Sequence, residues 1–203
     1  MLKLYHVSGS RSVRVRWLLE ELGLAYDLET MPFDKAALQA PEYLKKNPLG
    51  KVPAFEDGET ALFESGAILE YLLEKYGEGR FKPETGSKAW ERYLIWMHAS
   101  ESFAQSVAIY FFNTVLVAES DRSEAIIADV KSRVTVVIAG AEADLSDRPF
   151  ICGAEFSAAD IMFTYAIHFA NAFGLLNEDD HPNLLAYFGR ISEREAFQRA
   201  MAD

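Results

Sequence analysis

Apolar positions along the first eighty residues change period several times, and each change marks an element. Leu2, Leu4, Tyr5 and Val7 read as a short buried strand over 2–7, followed by a polar Ser/Gly turn. Val13, Val15, Trp17, Leu18, Leu19 and Leu22 then recur at helical spacing and predict a helix over 11–22, with Gly23 as its stop. Tyr26-Asp27-Leu28-Glu29-Thr30 alternates as a second strand. A helix between two strands within about thirty residues predicts a βα unit returning to a sheet. Residues 34–46 are less regular and suit a short helix. Residues 52–56 form a third strand, Asp57-Gly58 is a hairpin turn, and 60–63 return as the fourth. Ser65 is placed to N-cap a helix over 66–76 whose core face carries Ile68, Leu69, Leu72 and Leu73.

That order, βαβ, a helical connection, then ββα, predicts a thioredoxin-like α/β domain over 1–77. Gly77-Glu78-Gly79-Arg80-Phe81-Lys82-Pro83 reads as a linker, assigned to 78–86. Beyond it strand signals stop, and 87–203 reads as an all-α helical bundle. Long helical patterns cover 87–118, rich in Trp90, Tyr93, Leu94, Met97, Phe103 and Tyr110, and 120–145, where Val134 to Ile138 is locally β-branched. Phe156-Ser157-Ala158-Ala159-Asp160-Ile161 fits a capping box with a hydrophobic staple, Asp160 standing in for the usual Glu. It opens a buried helix carrying Ile161, Tyr165, Ile167, His168 and Phe169, and two shorter helices follow Pro182 and Ser192. Asp160 is therefore read as structural.

Composition narrows the function classes. The chain has 203 residues, half of them hydrophobic, enough for one domain or two small ones. No apolar run approaches a membrane span, and the N-terminus does not read as a signal peptide, so a cytoplasmic home is expected. The net charge of −11, from 20 basic and 31 acidic side chains, argues against nucleic acid and anionic membranes as partners. Cys152, the single cysteine, excludes a CxxC pair and reads as a buried structural thiol. His6, His98, His168 and His181 have no metal-ligand spacing, and no metal is expected.

The awkward residue is Pro53, within Asn47-Pro48-Leu49-Gly50-Lys51-Val52-Pro53-Ala54-Phe55. Proline cannot donate to a sheet ladder. A cis Val52-Pro53 bond would leave backbone groups free for a ligand, although cis is only about 5–6% of X–Pro bonds in folded proteins and the trans form leads on local grounds. Two further features change the balance. Ser8, Ser10 and Ser12 stand at the start of one helix, and Glu64-Ser65 at the start of another, where free amides and the macrodipole favour negative charge. Such an arrangement suits a small extended peptide with carboxylates and an amine: Glu64 for an ammonium, Ser65 with the amides of Ser65 and Gly66 for a carboxylate, and the Val52 main chain for a peptide unit.

These motifs, together with Arg14-Val15-Arg16-Trp17-Leu18-Leu19-Glu20-Glu21-Leu22-Gly23-Leu24 and Ile68-Leu69-Tyr71-Leu72, resemble the cytosolic glutathione S-transferase family over nearly the whole chain. The Ser-Gly-Ser-Arg-Ser turn looks like the serine-type classes, theta-, phi- or delta-like. The resemblance implies a thioredoxin-like domain holding the glutathione site, a helical domain supplying the wall for an electrophile, a cis Pro53 and a homodimer. It implies a detoxifying transferase that binds glutathione as co-substrate, stabilises its thiolate through Ser10 and adds it to a small hydrophobic electrophile. Ser12 is the alternate thiol donor, with Ser8 and Tyr5 weaker ones; simple N-capping is the bland role of Ser10. Lys51, Val52, Pro53, Glu64 and Ser65 are the expected glutathione-binding residues, and Ser8, Gly9, Met97, Glu101, Phe103 and Tyr110 the expected electrophile pocket. Where related classes carry a basic residue ahead of Pro41, this chain has Leu38-Gln39-Ala40, so Lys51, Gln39 or Lys35 is left to pair the glycine carboxylate. Alternatives within the fold are a glutathione-dependent isomerase or peroxidase and a non-catalytic binding protein. A thiol-disulfide oxidoreductase lacks its active-site cysteine.

Overall fold

In the computed structural model, which describes residues 1–202, four strands form one mixed sheet in the order β2-β1-β3-β4. β1 (Leu2–His6) pairs in parallel with β2 (Tyr26–Thr30) and antiparallel with β3 (Ala54–Asp57), which pairs antiparallel with β4 (Thr60–Phe63). The parallel pair is possible because α1 (Ser12–Leu22) crosses between its strands. Val13, Val15, Trp17, Leu18, Leu19 and Leu22 of α1 are buried. The helix ends where Gly23 takes φ 68° and its N–H reaches back to the carbonyls of Glu20 and Leu19. α4 (Ser65–Tyr76) buries Ile68, Leu69, Leu72 and Leu73. The irregular stretch resolves into two single turns, α2 (Lys35–Leu38), capped by Asp34, and α3 (Pro41–Leu44).

The chain divides into two compact units, Met1–Phe81 together with the segment from Ser192, and Lys82–Ile191. The expected grouping of 87–203 as one helical domain therefore fails for the last helix, α9 (Glu195–Met201). The reason is contact with α1. The Phe197 ring meets Trp17 edge-on at 4.8 Å, and Arg194 clasps Glu21 through two 2.7 Å hydrogen bonds. Arg199 donates to Glu20 at 2.7 Å, and Arg16 donates to the Ala202 carbonyl at 2.8 Å.

The second unit is built from α5 (Lys88–Phe111), α6 (Glu124–Asp144), α7 (Ala158–Ala172) and α8 (Pro182–Ser192). α5 stops short of the expected 118, passing into a π turn over Phe112–Leu116 and a 3₁₀ turn over Glu119–Asp121. α6 starts at 124 rather than 120, because the Ser123 hydroxyl accepts the Ile126 N–H and fixes the helix start there. Its β-branched stretch stays helical: Val130, Val134, Ile138 and Ala141 are buried at helical spacing. Phe163 of α7 packs on Trp96 and Phe103 of α5 at 4.8 and 5.6 Å between ring centroids. Among the described residues no helix is long and apolar enough to cross a membrane.

Candidate functional site

Sheet register decides where the chemistry gathers. His6 pairs with Thr30, Tyr5 with Ala54, and Ala54 with Phe63. The end of β1, the start of β3 and the end of β4 thus lie along one end of the sheet. Three segments leave from that end: the turn 7–11, the loop 50–53 and Glu64-Ser65 at the mouth of α4. The connection that follows β2, carrying Lys35 and Gln39, starts there too.

The first segment carries a chain of hydroxyls. Ser8 and Gly9 are exposed, and the Ser10 N–H closes the turn on the Val7 carbonyl at 3.1 Å. Ser10 is part-exposed, and its Oγ lies 2.7 Å from Ser12 Oγ. Ser12, fully buried, lies in turn 2.8 Å from Nδ1 of buried His6. The Ser12 hydroxyl also accepts the Val7 N–H and stands within hydrogen-bond distance of the Val7 carbonyl, both at 3.2 Å. The Ser12 N–H donates to Ser10 Oγ at 3.3 Å, so Ser10 does serve the helix start as well.

The second segment is pinned from below. Lys51 O accepts from the Tyr43 hydroxyl at 2.6 Å and from buried Asn47 Nδ2 at 2.7 Å. The Val52–Pro53 peptide is cis, and among the described residues nothing hydrogen-bonds to the Val52 main chain. β3 begins only after the proline, at Ala54, and not at 52. Gly50 has φ 60°, and a Cβ there would sit 2.1 Å from Gln39 Nε2. The Gln39 amide therefore packs against this loop beside exposed Lys51, while Lys35 is exposed on α2.

In the third segment Glu64, not Ser65, occupies the cap position of α4, with φ 72° and ψ 114°. That is an uncommon backbone conformation for a residue with a side chain. Ser65 opens the helix, and its hydroxyl does not cap it. Instead it accepts Nη1 of Arg14 at 3.1 Å, and Arg14 is fully buried in α1. The amides of Ser65, Gly66 and Ala67 have no partner within the helix, so a buried cation, a hydroxyl and free amides converge at one helix N-terminus.

Two family models match the chain: "Glutathione S-transferase, N-terminal domain" over residues 1–74 and "Glutathione S-transferase, C-terminal domain" over 103–195. Glutathione S-transferase 3 of Schizosaccharomyces pombe is 31% identical, the alignment covering 97% of this chain and 85% of that protein. This chain belongs to the glutathione S-transferase family. A zeta-class glutathione S-transferase of Euphorbia esula is 32% identical over 100% of this chain and 90% of its own. Among solved structures, the theta-class enzyme of Xanthomonas axonopodis pv. citri, with glutathione bound, superposes with a TM-score of 0.84 at 28% identity, covering 100% of this chain and 97% of that one. A family member from Pseudomonas fluorescens, with two glutathione molecules bound, gives 0.86 at 26% identity, covering 98% of this chain and 92% of that one.

Within this glutathione transferase chain the expected site residues sort unevenly. Ser8, Gly9, Ser10, Lys51, Val52, Pro53, Glu64 and Ser65 all fall at the one sheet end. Ser12 does too, but it is fully buried and offers no surface to a ligand. Tyr5 is ruled out as a thiol donor, since its hydroxyl donates to Glu56 at 2.7 Å. Of the helical candidates, Phe103 fills the core against Phe163, which corrects its assignment to a pocket wall, and Met97 is buried as well. Glu101 and Tyr110 keep some exposed surface. Cys152 is buried, its thiol pushed up to about 12 chiefly by burial. Arg14, Asn47 and His6 are not among the expected glutathione-site residues. For Arg14 a signal existed: positions 14, 18 and 22 form one stripe, and the other two are leucines of the core.

Proposed function

We propose that the protein is a serine-type glutathione transferase: it binds glutathione, holds its thiol as thiolate beside Ser10, and adds the sulfur to a small hydrophobic electrophile. One observation carries this reading. A part-exposed hydroxyl, an unbonded main-chain segment and a cation-backed helix N-terminus lie at one end of the same sheet. Family membership supports glutathione as the ligand, as do relatives that hold it.

The roles follow from charge and donor type. Glu64 takes the ammonium of the γ-glutamyl group. The Ser65 hydroxyl, with the amides of Ser65 and Gly66, takes its carboxylate. The Val52 N–H and carbonyl pair with the cysteinyl peptide unit, as one further strand would, and Pro53 shapes the loop that offers them. The glycine carboxylate goes to the Lys51 ammonium with the Gln39 amide beside it, Gln39 being packed against Gly50. A thiol with an ordinary pKa of about 8.5 is mostly protonated at neutral pH, and each unit of depression takes about 1.4 kcal/mol of preferential stabilisation of the anion. Ser10 supplies part of that as a donor, and the N-terminus of α1 adds its partial charge. On the electrophile side, Ser8 and Gly9 of the turn 7–11 lie exposed beside Ser10. The working form is a cytoplasmic homodimer with a role in detoxification, as the family resemblance implies.

Steady-state conjugation of glutathione to an aryl halide tests this. Ser10→Ala is expected to lower kcat/KM about 10–100-fold, the range of a lost hydrogen bond to a charged group, with glutathione still bound. Full activity in Ser10→Ala would sink Ser10 as the donor, and no turnover by the wild type on a broad electrophile panel would favour a binding protein.

A further inference from the structure

The hydroxyl of Ser12 has more polar neighbours than it can serve, and counting them leaves two directions for its chain of hydrogen bonds. A hydroxyl has one proton and two lone pairs. Around Ser12 Oγ stand the Val7 N–H at 3.2 Å, the Val7 carbonyl at 3.2 Å, Ser10 Oγ at 2.7 Å and His6 Nδ1 at 2.8 Å. The Val7 N–H can only donate, so it takes one lone pair. If the Ser12 proton went to the Val7 carbonyl, both short contacts would have to donate into the one lone pair left. The proton therefore goes to one of the short contacts, and the other donates to Ser12.

Two polarities satisfy this. In the inward one, Ser10 donates to Ser12 and Ser12 donates to His6 Nδ1. The Ser10 proton is then spent, and Ser10, already accepting the Ser12 N–H, offers the site only a lone pair. In the outward one, His6 Nδ1–H donates to Ser12, Ser12 donates to Ser10, and the Ser10 proton is left over for the ligand. A thiolate accepts and never donates, so beside it the inward chain sets a lone pair against an anion, and only the outward chain is satisfied. Hydrogen bonds in such a chain polarise one another, which strengthens the last donor.

We infer that His6 and Ser12 are positioning residues: buried His6, in its Nδ1–H tautomer, sets the direction of the His6–Ser12–Ser10 chain so that the Ser10 hydroxyl donates to the glutathione thiolate. The inference rests on Ser10 being the thiol donor. It assigns a role to a histidine that touches neither substrate and lies four residues before the serine it directs.

The test is the pKa of glutathione's thiol in the binary complex, read from thiolate ultraviolet absorbance against pH, with the glutathione Kd measured alongside. Ser12→Ala and His6→Phe are each expected to raise that pKa by about one unit and to lower kcat/KM at neutral pH about tenfold, with Kd changed less than about twofold. His6→Asn keeps an N–H near the Nδ1 position and is expected to restore most of the shift. In a Ser10→Ala background, Ser12→Ala should add nothing further, because the chain no longer has an end to direct. A raised pKa in Ser10→Ala with none in Ser12→Ala overturns the relay while leaving the serine donor intact. An unchanged pKa in Ser10→Ala overturns the donor itself. Loss of glutathione affinity without a pKa change in Ser12→Ala or His6→Phe overturns the relay by showing a merely structural role. Should His6→Phe fail to fold, Ser12→Ala decides, since alanine suits a helix start and removes only the hydroxyl.

Discussion

Asp160 in the helical unit and Ser12 in the sheet unit are both fully buried polar groups in the first turn of a helix, and they dispose of their hydrogen bonds in opposite ways. Asp160 is a closed account. One oxygen accepts the Ile151 N–H at 2.9 Å and the Tyr187 hydroxyl at 3.1 Å, and the other accepts the Ser157 N–H at 2.8 Å and its hydroxyl at 3.0 Å. Tyr187 has then used its proton, so at 2.8 Å it accepts from Thr164. Every group in that cluster ends on another buried group. The chain through Ser12 instead ends at Ser10, which reaches the surface, and the neighbouring Arg14–Ser65 pair ends at a helix mouth. A buried network that satisfies itself holds the fold together. One that stops a bond short of completion keeps a donor for something else.

The comparison breaks most readily at Asp160. Asp160→Ala strands the Ile151 and Ser157 amides and the Tyr187 hydroxyl in a dry interior and breaks the capping box at the start of α7. At about 1–3 kcal/mol for each buried group left unsatisfied, partly relieved by relaxation, a loss of about 3–4 kcal/mol is expected in urea unfolding. That is a large share of the 5–15 kcal/mol typical of a domain. Activity per folded molecule should stay at the wild-type level. Lost turnover in a variant of undiminished stability would mean that the closed cluster serves the site after all.

The same residue gives a pH test. Burial raises the Asp160 carboxyl to about 6, and its four hydrogen bonds pull it only part of the way back. In the unfolded chain an aspartate titrates near 3.9. The folded state therefore binds this proton more tightly, and the contribution of Asp160 to stability is greatest below about pH 4 and declines as pH rises through 6, by about 3 kcal/mol in all. Asparagine does not titrate. The stability difference between wild type and Asp160→Asn should accordingly shrink by about 2–3 kcal/mol from pH 4 to pH 7 in equilibrium unfolding. A difference that stays flat or grows with pH would mean that the hydrogen bonds outweigh the burial.

Most of the fold could be read from periodicity, because burial of the helices follows it closely: the stripe of α1 and the core face of α4 are local patterns, whereas β2 alternates in sequence but leaves Leu28 exposed. The capping box of α7 was legible for the same reason, its partners lying three residues apart. What escaped depends on distant partners. α9 joins the sheet unit because of contacts with α1 separated by 173 residues, as from Arg194 to Glu21. Ser65 does not cap α4 because Arg14, 51 residues earlier, claims its hydroxyl. The site was half legible. Its segments were named from motifs, but which serine is reachable and which is buried depends on how tightly the turn 7–11 folds over His6. Nothing in the spacing of Ser8, Ser10 and Ser12 decides that.

Arg14 sharpens the contrast at its finest point. Its guanidinium is fully buried and donates to the Ser65 hydroxyl, which is thereby left with its own proton to give. A buried cation at a helix N-terminus reinforces the partial positive charge already there, and both act on whatever anion the α4 mouth receives. Ser65→Ala is expected to weaken glutathione binding about tenfold by calorimetry, the low end for a lost hydrogen bond to a charged group, and Arg14→Met, which acts through Ser65, about three- to tenfold. If Arg14 acts through Ser65, the two effects overlap. Arg14→Met made on top of Ser65→Ala should then cost clearly less than it does alone. Full additivity would mean that the cation reaches the ligand's carboxylate by field alone. An unchanged affinity in Arg14→Met, with the variant folded, would put Arg14 with Asp160 among the groups that serve the fold and not the ligand.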